Sequence, residues 1–233
     1  NMLQKLDVIL SAQDILKNLP KFNTEHKDEE VFMCKTWMND PTGDFFYDPW
    51  KLKSEWQTKE LVQLFNTLGP VGEARIIVMK PGFTYLAHSD IDDRYHVTLQ
   101  GEHSYLIDLV NTKMYPTLTD NCCYLMDTAH IHTAVNFGYL DRIQLVIRKL
   151  LERGQIRNRA HVKIKAENPP YNSRYLFDNS FSVWLNKANK KKILDNFVTI
   201  SQEEVSLDLE REYLEELKNI SNHCGFAVQI THD

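Results

Sequence analysis

Three features missing from this chain narrow the field before any motif is read. Its four cysteines, Cys34, Cys122, Cys123 and Cys224, show no C-x-x-C spacing. Cys122 and Cys123 are adjacent, and a bridge between neighbours needs strained geometry, so reduced thiols and a cytoplasmic setting are expected. No apolar run approaches bilayer length and no charged-then-apolar leader opens the chain, so no membrane association is expected. Positive charge is not in excess either. The 27 Lys and Arg against 32 Asp and Glu leave a net charge of −5, whereas a protein that tracks nucleic-acid phosphates is normally basic. The one basic run, Lys190-Lys191-Lys192, is expected on a solvated helix face. Internal repeats and low-complexity segments are missing too.

What is present reads as an ordinary globular chain, 42% apolar and 25% charged over 233 residues. That is enough for one large domain with an appendage. The first helix is expected after Ser11 and ends at Pro20. Val31 to Trp37 reads as a strand, Asn39 to Pro49 as a turn-rich connection, and Leu52 to Leu68 as a helix closed by Gly69-Pro70. From Ala74 to Leu150 the texture changes to short β-branched and aromatic runs. They cover 74–80, 84–88, 94–100, 103–109, 113–115, 122–126, 132–137 and 142–150, with brief turns between them. Such a succession predicts an antiparallel double-sheet roll, a cupin-like jelly roll or double-stranded β-helix, occupying residues 1–152 with its N-terminal helices. Residues 153–233 are expected to form a mostly helical extension packed on that core. In it, Asn168-Pro169-Pro170 is a break, one helix runs from Trp184 to Phe197, and another starts at the capping box Ser201-x-x-Glu204 and reaches Asn222.

The chemistry gathers between Lys80 and Arg148. His88 and Asp90 stand two apart, so on an extended chain both point to one face. Asp127-Thr-Ala-His130-Ile-His132 supplies more imidazole. Two His and one carboxylate with open positions describe the facial triad of non-haem Fe(II) oxygenases. By parity alone either His130 or His132 serves as the third ligand. Arg142 heads an apolar strand that would bury it, and a bidentate grip on a carboxylate rationalises a buried guanidinium. Arg94 and His96 alternate with Thr98 on one face of their strand and add two more groups that suit an anion.

The segments MKPGFTYLAHSDIDDRYHVTLQG and MDTAHIHTAVNFGYLDRIQLVI resemble the aspartyl/asparaginyl β-hydroxylase family of 2-oxoglutarate oxygenases. They are also similar to the bacterial proline hydroxylases. The matching elements are Pro81-Gly82, His88, Arg94-x-His96, and His132-x-x-x-Asn136 with Arg142 following. The resemblance covers about seventy residues. It implies Fe(II) and 2-oxoglutarate as cofactors, with His88, Asp90 and His132 as ligands and Arg142 on the distal carboxylate. Arg94 and His96 would then face the near end of 2-oxoglutarate or a substrate carboxylate. The interval to Arg142 and the position of Asn136 favour His132 over His130. The implied activity is hydroxylation of an amino acid or of an Asp, Asn or Pro-type side chain, with a small-molecule or peptide substrate that bears a carboxylate. Two alternatives use the same residues: a Zn-dependent hydrolase, in which Arg142 has no role, and a non-catalytic cupin-like binding module.

Overall fold

The computed structural model describes residues 1–25, 33–167 and 180–231. The break at 168–170 and the first two residues of the strand expected from Val31 lie outside the described residues. Leu3–Lys5 forms a short strand, β1. Ser11 then caps helix α1, Ala12–Asn18, its hydroxyl accepting from the Asp14 amide at 3.2 Å. Strand β2, Met33–Trp37, precedes a small hairpin of β3, Asn39–Pro41, and β4, Trp50–Leu52, where only a turn-rich connection was expected. Thr58 caps α2, Lys59–Leu68. Gly69, at φ 78°, closes it in the left-handed region that favours glycine.

The eight expected runs follow: β5 Val71–Met79, the segment 82–90, β6 Arg94–Gln100, β7 Ser104–Asp108, β8 Lys113–Pro116, β9 Tyr124–Met126, β10 His132–Asn136 and β11 Arg142–Lys149. They pass back and forth between two antiparallel sheets, with β7 and β8 forming a hairpin within the smaller one. One sheet has the order β1-β9-β6-β11-β5-β2, and the other the order β10-β7-β8. Segment 82–90 lies along β10 through the bridges Thr84–Val135 and His88–His132 and completes the smaller sheet. This winding is a double-stranded β-helix, extended at both edges of its larger sheet by β1 and β2.

Alternation decides what each face holds. On β11 and β6, Ile143, Leu145, Ile147, Val97 and Leu99 join Ala74, Ile76 and Val78 of β5 in an outer core under α1 and α2. The opposite face lines the barrel. There Val146 pairs with His96, Gln144 with Thr98 and Arg148 with Arg94. Met2, Met79, Leu106, Met126 and Ala134 supply the apolar part of the interior. The larger sheet is therefore buried on both faces but polar on the inner one, which is where a site can be built.

The C-terminal segment corrects the expectation of a mostly helical cover. After β12, Arg159–Ala166, come α3, Ser180–Lys190, then β13, Leu194–Thr199, β14, Glu204–Glu210, α4, Leu214–His223, and β15, Phe226–Thr231. The strands form one antiparallel sheet in the order β13-β14-β12-β15. Val205, Leu207 and Leu209 are fully buried at every second position, a strand period, and they pack with Val162 and Ile164 of β12. The presumed capping box is the hairpin turn between β13 and β14, with the Ile200 and Ser201 amides both donating to the Glu204 carbonyl. The helix expected to reach Phe197 stops at Lys190, and Lys192 takes φ 59°. Among the described residues no helix is long and apolar enough to cross a membrane.

A candidate metal centre and an unneutralised arginine

Three side chains converge at one end of the barrel. His88 Nε2 lies 3.6 Å and His132 Nε2 3.8 Å from Asp90 Oδ2, and the three donor atoms fall within 4.8 Å of one another. Each imidazole is oriented by its other nitrogen. His88 Nδ1 donates to the Leu86 carbonyl at 2.9 Å, and His132 Nδ1 to the His130 carbonyl at 2.8 Å. That leaves both Nε2 atoms as acceptors facing the carboxylate, the tautomer that a metal ligand needs. Burial is the main reason that His132 is pushed down to about 4, so its ring is neutral near pH 7. Burial alone would raise the Asp90 carboxyl. The Arg94 guanidinium and the two imidazoles outweigh it and hold the group well below the usual carboxylate range. Asp90 Oδ2 is buried with no hydrogen-bond partner among the described residues, and it points at the two Nε2 atoms. A carboxylate oxygen desolvated in that way is costly unless a cation meets it. Two imidazole nitrogens and one carboxylate oxygen on one side of a space fit a divalent metal with positions left open.

Parity alone could not choose between His130 and His132, and the structure separates them. His130 sits in the turn before β10, not on the strand, and its Nδ1 lies 2.8 Å from the buried Asp108 carboxylate. It belongs to that pair, while His132 enters the cluster.

A bulge brings in a residue that parity would have put elsewhere. Between the bridges Thr84–Val135 and His88–His132, segment 84–88 carries one more residue than β10 does. The slip sets Tyr85 on the same side as His88, their rings 5.1 Å apart. Burial lifts the Tyr85 hydroxyl to about 12, with the Arg142 guanidinium pulling the other way.

Arg94 finds a carboxylate within the chain. Its NH2 donates to Asp90 Oδ1 at 2.6 Å and approaches Asp92 Oδ1 at 3.5 Å. Asp92 is also held by Arg148 at 2.8 Å, and Arg148 reaches Glu73, which pairs with Arg75 at 3.0 Å. Asp92 is 3% exposed, so this acid is an internal counter-ion. Asp93 is held by Lys190 at 2.9 Å, so Asp90, Asp92 and Asp93 each have a cation beside them.

Arg142 is different. It is 2% exposed, its NH2 donates to the neutral Gln144 Oε1, and its Nε has no partner. No carboxylate among the described residues pairs with it, and burial lowers it to about 10, which still leaves it charged. Among the described residues neither buried ring nitrogen of His96 has a hydrogen-bond partner, and burial, then Arg142 and Arg94, push it down to about 3. The barrel floor thus carries one uncompensated positive charge beside a neutral imidazole, with the Tyr115 hydroxyl buried and unpartnered in the same apolar interior.

No protein-family model matches this sequence, and no curated protein matches it. Among solved structures the chain is similar to the viral collagen prolyl hydroxylase of Paramecium Bursaria Chlorella virus-1, determined with 2OG. The TM-score is 0.43 at 12% identity, over 64% of this chain and 97% of that one. It is also similar to an oxidoreductase of the 2OG-Fe(II) oxygenase family from Burkholderia pseudomallei, with a TM-score of 0.39 at 11% identity, over 63% of this chain and 83% of that one.

Proposed function

We propose that this protein is an Fe(II)- and 2-oxoglutarate-dependent dioxygenase that hydroxylates an amino acid or an Asp, Asn or Pro-type side chain. The observation that carries the proposal is the pairing of an open His-Asp-His cluster with a buried arginine that lacks a counter-ion. His88 Nε2, Asp90 Oδ2 and His132 Nε2 would hold the metal, and the Arg142 guanidinium would hold a carboxylate of the keto acid. When bound, these cofactors supply O2 activation coupled to decarboxylation of 2-oxoglutarate to succinate.

The chain's own part is positional. The Leu86 and His130 carbonyls fix both imidazole tautomers, and Arg94 occupies Asp90 Oδ1 so that Oδ2 alone faces the site. Gln144 donates through Nε2 to Thr98 Oγ1 at 3.1 Å, which turns its Oε1 toward Arg142. His96, neutral at working pH, can donate from one ring nitrogen and accept at the other without adding charge. With Arg94 held by Asp90 and Arg142 assigned to the keto acid, a substrate carboxylate would meet the neutral His96 ring and not a second free cation.

Fe(II)-dependent formation of succinate from 2-oxoglutarate, with amino acids and peptides screened by a 16 Da mass gain (one oxygen atom, about 16 Da), tests the proposal. A Zn-dependent hydrolase forms no succinate, and a binding module takes up 2-oxoglutarate without turnover. Either result overturns the reading.

A further inference from the structure

We infer that the C-terminal segment is part of the metal centre: Asn186 on α3 is a positioning residue that clamps the loop bearing Asp90 to the turn leading into His132. The inference rests on the reading of His88, Asp90 and His132 as metal ligands, but not on the choice of metal or reaction.

Neither of the two pieces to be joined is part of a strand, and Thr128 is their common point: its Oγ1 lies 3.2 Å from the Asp90 carbonyl and its amide donates to Asp93 Oδ1 at 3.4 Å. Residues 89–93 lie beyond the last bridge of segment 82–90, and 127–131 form a turn between β9 and β10. The Asp90 amide donates to the Thr128 carbonyl at 3.1 Å, and Thr128 Oγ1 donates to the Asp92 carbonyl at 2.7 Å. Thr128 is completely buried at this junction. Metal ligands from separate segments must keep their spacing within about half an ångström, so whatever holds this junction sets the geometry of the site.

Helix α3 is built to hold it. Phe181, Leu185 and Ala188 face the C-terminal core, while Asn186, Asn189 and Lys190, spaced three and four apart, share the opposite face. That polar face is pressed against the barrel: Asn186 is 1% and Asn189 6% exposed. The Asn186 Nδ2 group lies 3.3 Å from the Asp90 carbonyl, 3.1 Å from Asp93 Oδ1 and 3.3 Å from Thr128 Oγ1. All three neighbours can accept, so the amide nitrogen belongs on that side, and its Oδ1 is buried without a partner. One turn on, Lys190 Nζ bridges Asp93 Oδ1 and Asp127 Oδ1, each at 2.9 Å. The first lysine of a run expected to lie on a solvated face is thus a clasp between the same two segments.

Asn189 provides the control. It has the same helix, face and burial, but it bonds only the Glu152 backbone, its Nδ2 donating to the carbonyl at 2.9 Å and its Oδ1 accepting from the amide at 3.3 Å. If Asn186 merely glued α3 to the barrel, the two asparagines would behave alike.

The experiment measures Mn(II) affinity calorimetrically, and metal-free thermal melting, for the full chain and for Asn186→Ala and Asn189→Ala. The expected result is a rise of about tenfold in the Mn(II) Kd for Asn186→Ala, the size usual for groups that orient metal ligands. Asn189→Ala should stay within about twofold of the full chain while losing comparable Tm. Equal Kd values for the two variants, or an Asn186→Ala affinity equal to wild type, overturn the inference. Should Asn186→Ala not fold, Lys190→Met cuts the clasp from a half-exposed position, and the same comparison with Asn189→Ala decides. Failure of the unaltered protein to bind Mn(II) overturns the metal-centre reading itself.

Discussion

Arg94 and Arg142 both enter the barrel from the inner face of the larger sheet, and both are almost completely buried. The surroundings of the two differ in one respect. Around Arg94 every cation has an acid: Asp90 and Asp92 for Arg94, Asp92 and Glu73 for Arg148, Glu73 for Arg75. Around Arg142, among the described residues, stand a neutral amide, a neutral imidazole and the Tyr85 hydroxyl, with no carboxylate. A buried charge without a partner costs far more than one whose partners offset its desolvation. The first region is therefore complete as folded, whereas the second is completed by something the chain does not supply. Residue type and burial are the same in both. Local neutrality tells a structural arginine from a ligand-holding one.

The largest effects should come from the three candidate ligands, of which Asp90 also serves the Arg94 region. His88→Ala, Asp90→Ala and His132→Ala should each bring Fe-dependent succinate formation to background. Their melting curves should differ. His88→Ala and His132→Ala should stay near wild type, but Asp90→Ala leaves Arg94 with only its longer contact to Asp92 and should lose about 3–5 kcal/mol. Melting of the metal-free proteins checks this, and equal Tm values would show that Arg94 does not depend on Asp90. Next in size, Arg142→Ala should raise the KM for 2-oxoglutarate about 10- to 100-fold, roughly 1.4–3 kcal/mol, with little loss of Tm. An unchanged KM would mean that another residue holds the keto acid.

Acid sharpens the contrast through His96. Its folded value of about 3 lies below the unfolded one, so between those values the unfolded chain binds the extra proton. Stability is thus lost as pH falls from 6.5 toward 3, amounting to about 2 kcal/mol between pH 6.5 and 5. Urea unfolding of the metal-free protein should show that slope added to a similar one from His132, whose folded value of about 4 is also depressed, and His96→Gln should remove about half of the total. The smallest effect belongs to Arg94→Lys, which keeps the charge but loses the fork. Mn(II) affinity should weaken several-fold, to about tenfold at most, while the KM for 2-oxoglutarate stays within about twofold. A larger change in KM than in metal affinity would place Arg94 on the cosubstrate.

The barrel was legible because its strands announce themselves locally. Short alternating runs with turns between them suffice for seven strands and the bridged segment 82–90, and His-x-Asp together with the distal His needs only parity and spacing. Parity failed at Tyr85 because a bulge is invisible in sequence. It could not separate His130 from His132, since the Asp108 that engages His130 lies 22 residues away. The pairing of Arg94 with Asp90 was hidden for a related reason. Four residues apart suggests a pair only on a helix, and here the chain is a turn entering a strand. In the C-terminal segment, Leu207, Leu214 and Leu217 satisfied a helical stripe. The alternation of Val205, Leu207 and Leu209 was the better signal, but it competed with a capping motif that turned out to be a hairpin turn. Strand β1 pairs with β9 more than a hundred residues away, Leu3 opposite Met126, and nothing local marks it.

The bond from Asn186 to the Asp90 carbonyl spans 96 residues of chain, which gives the site a history as well as a shape. Ribosomes add roughly 5–20 residues per second and domains fold from the N-terminus onward. Lys149 ends the barrel and Lys190 ends α3, so the barrel and all three ligand side chains are made roughly 2–8 s before α3 is complete. A metal ion captured in that interval meets a loop that has not yet been clamped, and the helix closes over it afterwards.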